Sequence, residues 1–124
     1  MSIPSSRTIH SFLDEQTRIF NDKSRKDDFM ALYRQIAPGG YSLEWPANGE
    51  VFKGWDHLDR MWEDGINVQS RLVSAMVAHG EAATYFTHKL VQDGKTIELE
   101  SIETYLFRED GSLHSRFWPQ TPDL

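Results

Sequence analysis

The stretch IELESIETYLF, residues 97–107, alternates in polarity with a period of two, which predicts a β-strand. Its odd-numbered positions share one face, because successive side chains of a strand point to opposite sides. This face is apolar at both ends, but Ser101 and Glu103 lie in its middle. We expect an apolar face to be buried, so the carboxyl group of Glu103 needs a partner or a chemical role.

The dipeptide Asp93-Gly94 precedes this strand and indicates how it pairs with the strand before it. Asp-Gly is typical of a two-residue β-hairpin turn, and the turn sets the register of both strands. In that register Thr84 faces Glu103, while Phe86 and His88 lie on the same face.

The turn after the strand is REDG, residues 108–111, and it can close in more than one way. If Phe107 pairs with Ser112, then Arg116 lies opposite Glu103. Directly opposed residues have Cβ atoms about 4.5–5.5 Å apart, so this register predicts a buried ion pair. A shift of one residue would move Arg116 to the opposite face. The same register brings two further residues to the inner face, namely His114 and Trp118.

The remaining sequence predicts three helices and additional strands. Apolar residues at helical spacing indicate helices over residues 5–22, 26–36 and 55–66, and Gln16 falls on the apolar stripe of the first. A short strand is expected at residues 41–45, a loop over 46–54, and an antiparallel meander from about residue 67. We therefore predict one α+β domain over residues 1–124, with three helices on one face of a curved, mainly antiparallel sheet.

Composition narrows the possible partners. The chain has 124 residues, a net charge of −6 and no cysteine. The negative charge makes nucleic acid and anionic membranes poor partners. The lack of cysteine excludes thiolate chemistry and fits a cytoplasmic protein. No histidine pair has the spacing of a metal motif, so we expect neither a metal nor a cofactor.

Two blocks of sequence carry a resemblance to a known family. They are GEAATYFTHKLVQDGKTIELESIETYLFREDGSLHS, residues 80–115, and LEWPANGEVFKGWDHLDRMW, residues 43–62. Together they resemble the nuclear transport factor two-like superfamily, and within it the ketosteroid isomerase and SnoaL-like group. The resemblance implies a conical α+β barrel, a deep and mostly apolar pocket, and dimerisation through the sheet.

The resemblance places three catalytic positions of ketosteroid isomerase on this chain, and only one of them has the same kind of side chain. That enzyme uses an aspartate base, a tyrosine and a protonated aspartic acid. Glu103 matches the protonated acid, Gln16 replaces the tyrosine, and Trp45 replaces the base. An indole cannot abstract a proton at neutral pH, and Glu44 should point to the opposite face. We therefore expect the pocket without steroid isomerisation.

The candidate site follows from these placements. Glu103, Arg116 and His88 are the candidate catalytic residues, with Glu103 either a hydrogen-bond donor, a general acid or base, or half of a structural ion pair. A direct contact between His88 and Glu103 is not expected, because they lie about 13 Å apart at the strand rise. The predicted pocket lining comprises Phe12, Gln16, Tyr33, Trp45, Trp62, Phe86, Ser101, Tyr105, His114 and Trp118.

Two classes of function remain open. One is a cofactor-free isomerase, dehydratase, cyclase or hydrolase acting on a compact apolar substrate that bears oxygen. The other is a non-catalytic ligand-binding or interaction module with the same fold. In either case we expect a homodimer, because the outer sheet face is too apolar for full solvation. We expect that face to carry Tyr85, Thr87, Ile102, Thr104, Leu106, Leu113 and Phe117.

Overall fold

The computed structural model describes residues 2–120, and there three helices pack on one face of a six-stranded sheet. The sheet order is β2-β1-β6-β5-β4-β3, with β1 and β6 parallel and the other neighbours antiparallel. This arrangement confirms the predicted α+β class. The elements are α1 (Ser6–Phe20), α2 (Lys26–Ile36), β1 (Gly40–Trp45), β2 (Glu50–Lys53), α3 (Trp55–Asp64), β3 (Val68–Ala78), β4 (Glu81–Gln92), β5 (Lys95–Phe107) and β6 (Ser112–Pro119).

The first helix begins at a capping serine and buries one apolar face. Ser5 caps its start by accepting a hydrogen bond from the Thr8 amide at 3.1 Å, which satisfies one of the free N–H groups of the first turn. Its apolar stripe is buried, and Gln16 is buried with it, as the periodicity predicts.

No helix among the described residues combines the length and apolar character needed to cross a membrane.

Strand β2 was wrongly predicted as part of a loop. Residues Glu50–Lys53 pair antiparallel with β1. The turn between them is closed by Asn48, whose side-chain oxygen accepts from the Glu50 amide at 3.0 Å, and by Gly49 at φ 76°. This strand was missed because its sequence does not alternate in polarity, since the apolar residues Val51 and Phe52 are adjacent.

The hairpin between β4 and β5 has the predicted register. Asp93 and Gly94 both adopt positive φ values, 53° and 73°, as a type I′ turn requires. Thr84 lies opposite Glu103, and its hydroxyl donates to the Glu103 backbone carbonyl at 2.8 Å.

The next hairpin differs from the prediction by one residue. Phe107 pairs with Leu113, not Ser112. The Arg108 amide donates to the Ser112 carbonyl and the Gly111 amide to the Arg108 carbonyl, with Gly111 at φ 84°. A tight turn followed by a left-handed glycine closes the three residues between Arg108 and Ser112. Between Phe107 and its partner the observed pairing leaves five residues, 108–112, whereas the prediction left four.

This shift exchanges the two faces of β6. Phe117 lies opposite Glu103, and Arg116 lies opposite Thr104. The predicted ion pair between Glu103 and Arg116 is therefore wrong. Leu113 and Phe117 belong to the inner face, which contacts the helices, while His114, Arg116 and Trp118 belong to the outer face.

The joint between α2 and β1 tolerates no side chain at Gly39. A Cβ atom there would lie 2.4 Å from the Asp110 carbonyl oxygen and 2.7 Å from the Ser112 amide nitrogen, both backbone atoms. We expect Gly39→Ala to lower the free energy of unfolding by about 1–3 kcal/mol, the usual cost of overpacking. Chemical denaturation of wild type and variant measures this difference in unfolding free energy. A loss under about 0.5 kcal/mol would contradict the close approach of Gly39 to the β5–β6 turn.

Candidate functional site

A cavity of about 380 Å³ lies between the inner sheet face and the helices. Seven of the ten predicted lining residues border it: Gln16, Tyr33, Trp45, Trp62, Phe86, Ser101 and Tyr105. Glu103 and His88 border it as well. The structure thus brings together two of the three candidate catalytic residues, Glu103 and His88.

Four predicted site residues lie elsewhere. Phe12 is buried in the core, where its ring meets Tyr33, Tyr105 and Phe107 edge-on. The other three, His114, Arg116 and Trp118, lie on the outer face because of the shifted β5–β6 register.

The outer-face residues form their own polar cluster around Glu44. His114 contacts the Glu44 carboxylate through Nε2 at 3.0 Å, and Arg116 Nε donates to the same oxygen at 3.2 Å. The hydrogen bond from His114 and the charge of Arg116 lower the pKa of Glu44, and they outweigh burial, which raises it. Glu44 therefore points away from the cavity, as alternation along β1 predicts, and Arg116 cannot hold a ligand inside it.

Glu103 is only partly exposed and receives two hydroxyl hydrogen bonds. The Tyr105 hydroxyl donates to Oε1 at 3.0 Å, and the Ser101 hydroxyl donates to Oε2 at 3.3 Å. Burial raises the pKa of Glu103 to about 7, even though both hydrogen bonds favour the carboxylate and act in the opposite direction. Glu103 therefore changes protonation state near neutral pH.

Gln16 connects the helical layer to this carboxyl group. Its Nε2 donates to the Tyr105 hydroxyl at 2.8 Å, and its Oε1 accepts a hydrogen bond from the Tyr33 hydroxyl. The Tyr105 oxygen thus accepts from Gln16 while its proton is directed at Glu103. Burial holds the pKa of both tyrosines well above the usual value, so these phenols are neutral donors.

His88 approaches Glu103 through Ser101 rather than directly. Its Nε2 lies 2.7 Å from Ser101 Oγ, and its Nδ1 lies 2.7 Å from Ser70 Oγ. Burial lowers the pKa of His88, so the ring is neutral at pH 7. The predicted absence of a direct His88–Glu103 contact fits this geometry.

Sequence reasoning missed several lining residues, among them Tyr41, His57, Ser115 and Phe117. Ser115 and Phe117 were assigned to the wrong face by the register of the last hairpin. His57 Nε2 and Ser115 Oγ are buried and make no hydrogen bond within the described part of the chain. Burial raises the pKa of Tyr41, and the nearby Ser115 hydroxyl acts in the opposite direction, although the two hydroxyls do not reach hydrogen-bond geometry.

Besides three tyrosines, the ionisable side chains along the cavity are acidic or are histidines. The acids are Asp64, Glu103 and Glu100, of which Glu100 has its carboxylate bonded to the Tyr85 hydroxyl on the outer face. The lining formed by residues 2–120 includes no lysine or arginine. The tryptophans, tyrosines and phenylalanines make most of the remaining wall apolar. This composition suits a neutral, largely apolar ligand and disfavours an anion.

The raised pKa of Glu103 should make stability depend on pH. The folded state holds the Glu103 proton up to about pH 7, whereas the ordinary value is 4.5. The protonated form of Glu103 therefore adds to the free energy of unfolding, and this contribution is fully present below about pH 4.5. It is lost as pH rises through about 7, and the free energy of unfolding falls by up to ~1.4 kcal/mol per pH unit in between. The difference in unfolding free energy between wild type and Glu103→Gln should show this fall. A flat difference from pH 4.5 to 7 would contradict the shift.

No protein-family model matches the chain, and no curated protein matches it in sequence. Solved structures do match. SalBIII, an epoxide hydrolase/cyclase-like enzyme of pyran ring formation in salinomycin, aligns over 90% of each chain with a TM-score of 0.73 and 11% identity. A SnoaL-like polyketide cyclase from Jannaschia sp. CCS1 aligns over 94% of this chain and 88% of its own, with a TM-score of 0.71 and 11% identity.

A third match is an NTF-2 like protein of unknown function from Burkholderia xenovorans LB400. It aligns over 95% of this chain and 87% of its own, with a TM-score of 0.68 and 13% identity. Identities this low establish the fold and nothing finer. The chain has the nuclear transport factor two-like fold that SnoaL-like proteins share.

Proposed function

We propose that the protein is a cofactor-free enzyme of the isomerase or cyclase type, with Glu103 as its acid–base group. The observation that carries the proposal is one carboxyl group on the cavity wall whose pKa is raised to about 7. A group that titrates near the working pH is the most effective general acid or base. Strongly shifted groups in cavities are also typical of catalytic sites.

The surroundings of Glu103 fit proton transfer better than a structural ion pair. Its side-chain partners are the neutral hydroxyls of Tyr105 and Ser101, and Arg116 lies on the outer face with Glu44. Without a cation to hold it ionised, the carboxyl group can donate a proton below pH 7 and accept one above. Tyr105 and Ser101 then orient it and stabilise the charge that develops when the proton leaves.

The proposed substrate is neutral, compact and mostly apolar, with an oxygen that meets Glu103. Its size follows from the cavity of about 380 Å³, and its neutrality from the acidic lining. Trp45 borders the cavity at the position that a base would need in a steroid isomerase, so a Δ5-3-ketosteroid should not be isomerised. The position of Arg116 also argues against a hydrolase that needs an arginine. SnoaL-like cyclases share the fold, which supports a cyclase.

The experiment is a turnover assay with neutral epoxy-alcohols, β,γ-unsaturated ketones and a Δ5-3-ketosteroid, with products identified by mass spectrometry. We expect turnover of an epoxy-alcohol or a small ketone, reduced by about 100-fold or more in Glu103→Gln. Glu98→Gln, on the outer face of the same strand, is the matched control and should retain activity. Activity that survives Glu103→Gln would refute the catalytic role, and binding without any turnover would favour a ligand-binding module.

We also propose that the outer sheet face pairs with a second copy of the chain. Ile102 is 54% exposed at the middle of β5 on that face, and its cross-strand neighbours there are Tyr85 and Trp118. Leu106 lies on the same face of β5, beyond Thr104. Contiguous apolar surface of this kind is typical of interfaces. Phe117, placed on this face by the sequence, borders the cavity instead.

Light scattering at micromolar concentration should give about twice the 14.4 kDa chain mass. Ile102→Glu should give a monomer, because it places a charge at the centre of the proposed interface. The control is Ile66→Glu, an exposed isoleucine after α3, which should leave the dimer intact. A monomeric wild type would refute the proposal.

A further inference from the structure

A single row of polar side chains crosses the inner wall of the cavity from β5 to β3. Glu103 Oε2 lies 3.3 Å from Ser101 Oγ, which lies 2.7 Å from His88 Nε2. His88 Nδ1 lies 2.7 Å from Ser70 Oγ. Each neighbour is within hydrogen-bond distance, so the row is continuous from a carboxyl group to an imidazole.

The far end of the row is held rigidly. Asn21 Oδ1 accepts from the Ser70 amide at 2.7 Å, and Asn21 Nδ2 donates to the Ser70 carbonyl at 2.7 Å. This pair of bonds joins the end of α1 to β3 and fixes the serine beside the imidazole. Phe86 stacks on the His88 ring, with centroids 5.9 Å apart and planes at 14°, which restricts the ring further.

The two serines can serve as donors or acceptors, so the row has two consistent proton arrangements. With Glu103 ionised, Ser101 donates to it and must accept from His88 Nε2–H, while Ser70 donates to Nδ1. With Glu103 protonated, Glu103 donates to Ser101, Ser101 donates to Nε2, and Nδ1–H donates to Ser70. The protonation state of Glu103 thereby selects the tautomer of His88.

We propose that Glu103, Ser101, His88 and Ser70 form a proton relay that gives the site two points of proton transfer, an inference that rests on the proposed function. Glu103 gives its proton to a substrate oxygen, and Ser70, which borders the same cavity, receives a proton that the substrate loses elsewhere. With Glu103 ionised, the Ser70 O–H bond breaks toward His88 Nδ1 as the Nε2–H bond breaks toward Ser101 Oγ and the Ser101 O–H bond breaks toward the Glu103 carboxylate. Each hydroxyl and the imidazole gain one proton and lose one, and Glu103 regains the proton that it gave.

The relay therefore matches reactions that take up and release one proton each, with no net change. A cyclisation is of this kind, since a leaving oxygen is protonated and an attacking hydroxyl is deprotonated. Isomerisation of an unsaturated ketone is another. Among residues 2–120, the charged or titratable groups that border the cavity with His88 are Asp64, Glu100, Glu103, His57 and the tyrosines Tyr33, Tyr41 and Tyr105. Of these, Glu103 alone is joined to His88 through a shared hydroxyl.

The test is a ¹⁵N NMR titration of the His88 ring from pH 6 to 9, with the Glu103 carboxyl carbon followed in parallel. In wild type, the His88 proton should move from Nδ1 to Nε2 as Glu103 ionises. Ser101→Ala should abolish this exchange, and Ser101→Thr, which keeps a hydroxyl, should restore it. Ser115→Ala, which removes a hydroxyl from the same cavity outside the row, should leave it unchanged.

The outcomes separate the relay from the function on which it rests. If Glu103 titrates near neutral pH while His88 keeps one tautomer throughout, the relay is refuted and the acid–base role of Glu103 stands. If Glu103 titrates near its ordinary value of 4.5, the proposed function fails as well. An exchange that persists unchanged in Ser101→Ala would also refute the relay.

Discussion

The burial of one carboxyl group, that of Glu103, is the constraint on which the site depends. Apolar and aromatic residues surround it, and two hydroxyls, those of Tyr105 and Ser101, bind it. Desolvation outweighs both hydrogen bonds and raises its pKa to about 7. A cation at this point would have given an ordinary buried ion pair instead, with the carboxyl group fixed in its ionised form.

The register of one hairpin decides which of these two sites exists. The three-residue loop after Arg108 places Phe117 opposite Glu103 and directs Arg116 outward to Glu44. One loop residue fewer would have placed Arg116 opposite Glu103 and exchanged every side chain of β6 between the faces. Such a site would have held a cation beside the acid, and the cavity would have suited an anionic ligand.

Much of the fold was predictable, because its signals are local. The Asp93-Gly94 turn has one favoured geometry, so the register of β4 and β5 followed from the sequence. Periodicity likewise placed Gln16 on the buried stripe of α1. The REDG turn has no single geometry, so the faces of β6 did not follow, and the placements of Arg116, His114 and Trp118 were wrong.

The finer parts of the site depend on contacts between distant elements. The bond between Gln16 and Tyr105 joins residues 89 positions apart, and His57 reaches the cavity from α3. No spacing in the sequence encodes these contacts. By contrast, the contacts of Glu103 with Ser101 and Tyr105 join alternate residues on one strand face. The sequence of β5 alone is therefore enough to predict these two contacts.

The most direct measurement is a titration of the Glu103 carboxyl carbon by NMR. We predict a midpoint at about pH 7, and a further upward shift in Tyr105→Phe, since that variant removes a hydrogen bond that favours the carboxylate. A midpoint near the ordinary value of 4.5 would contradict the central claim, because Glu103 would then be ionised throughout the physiological range.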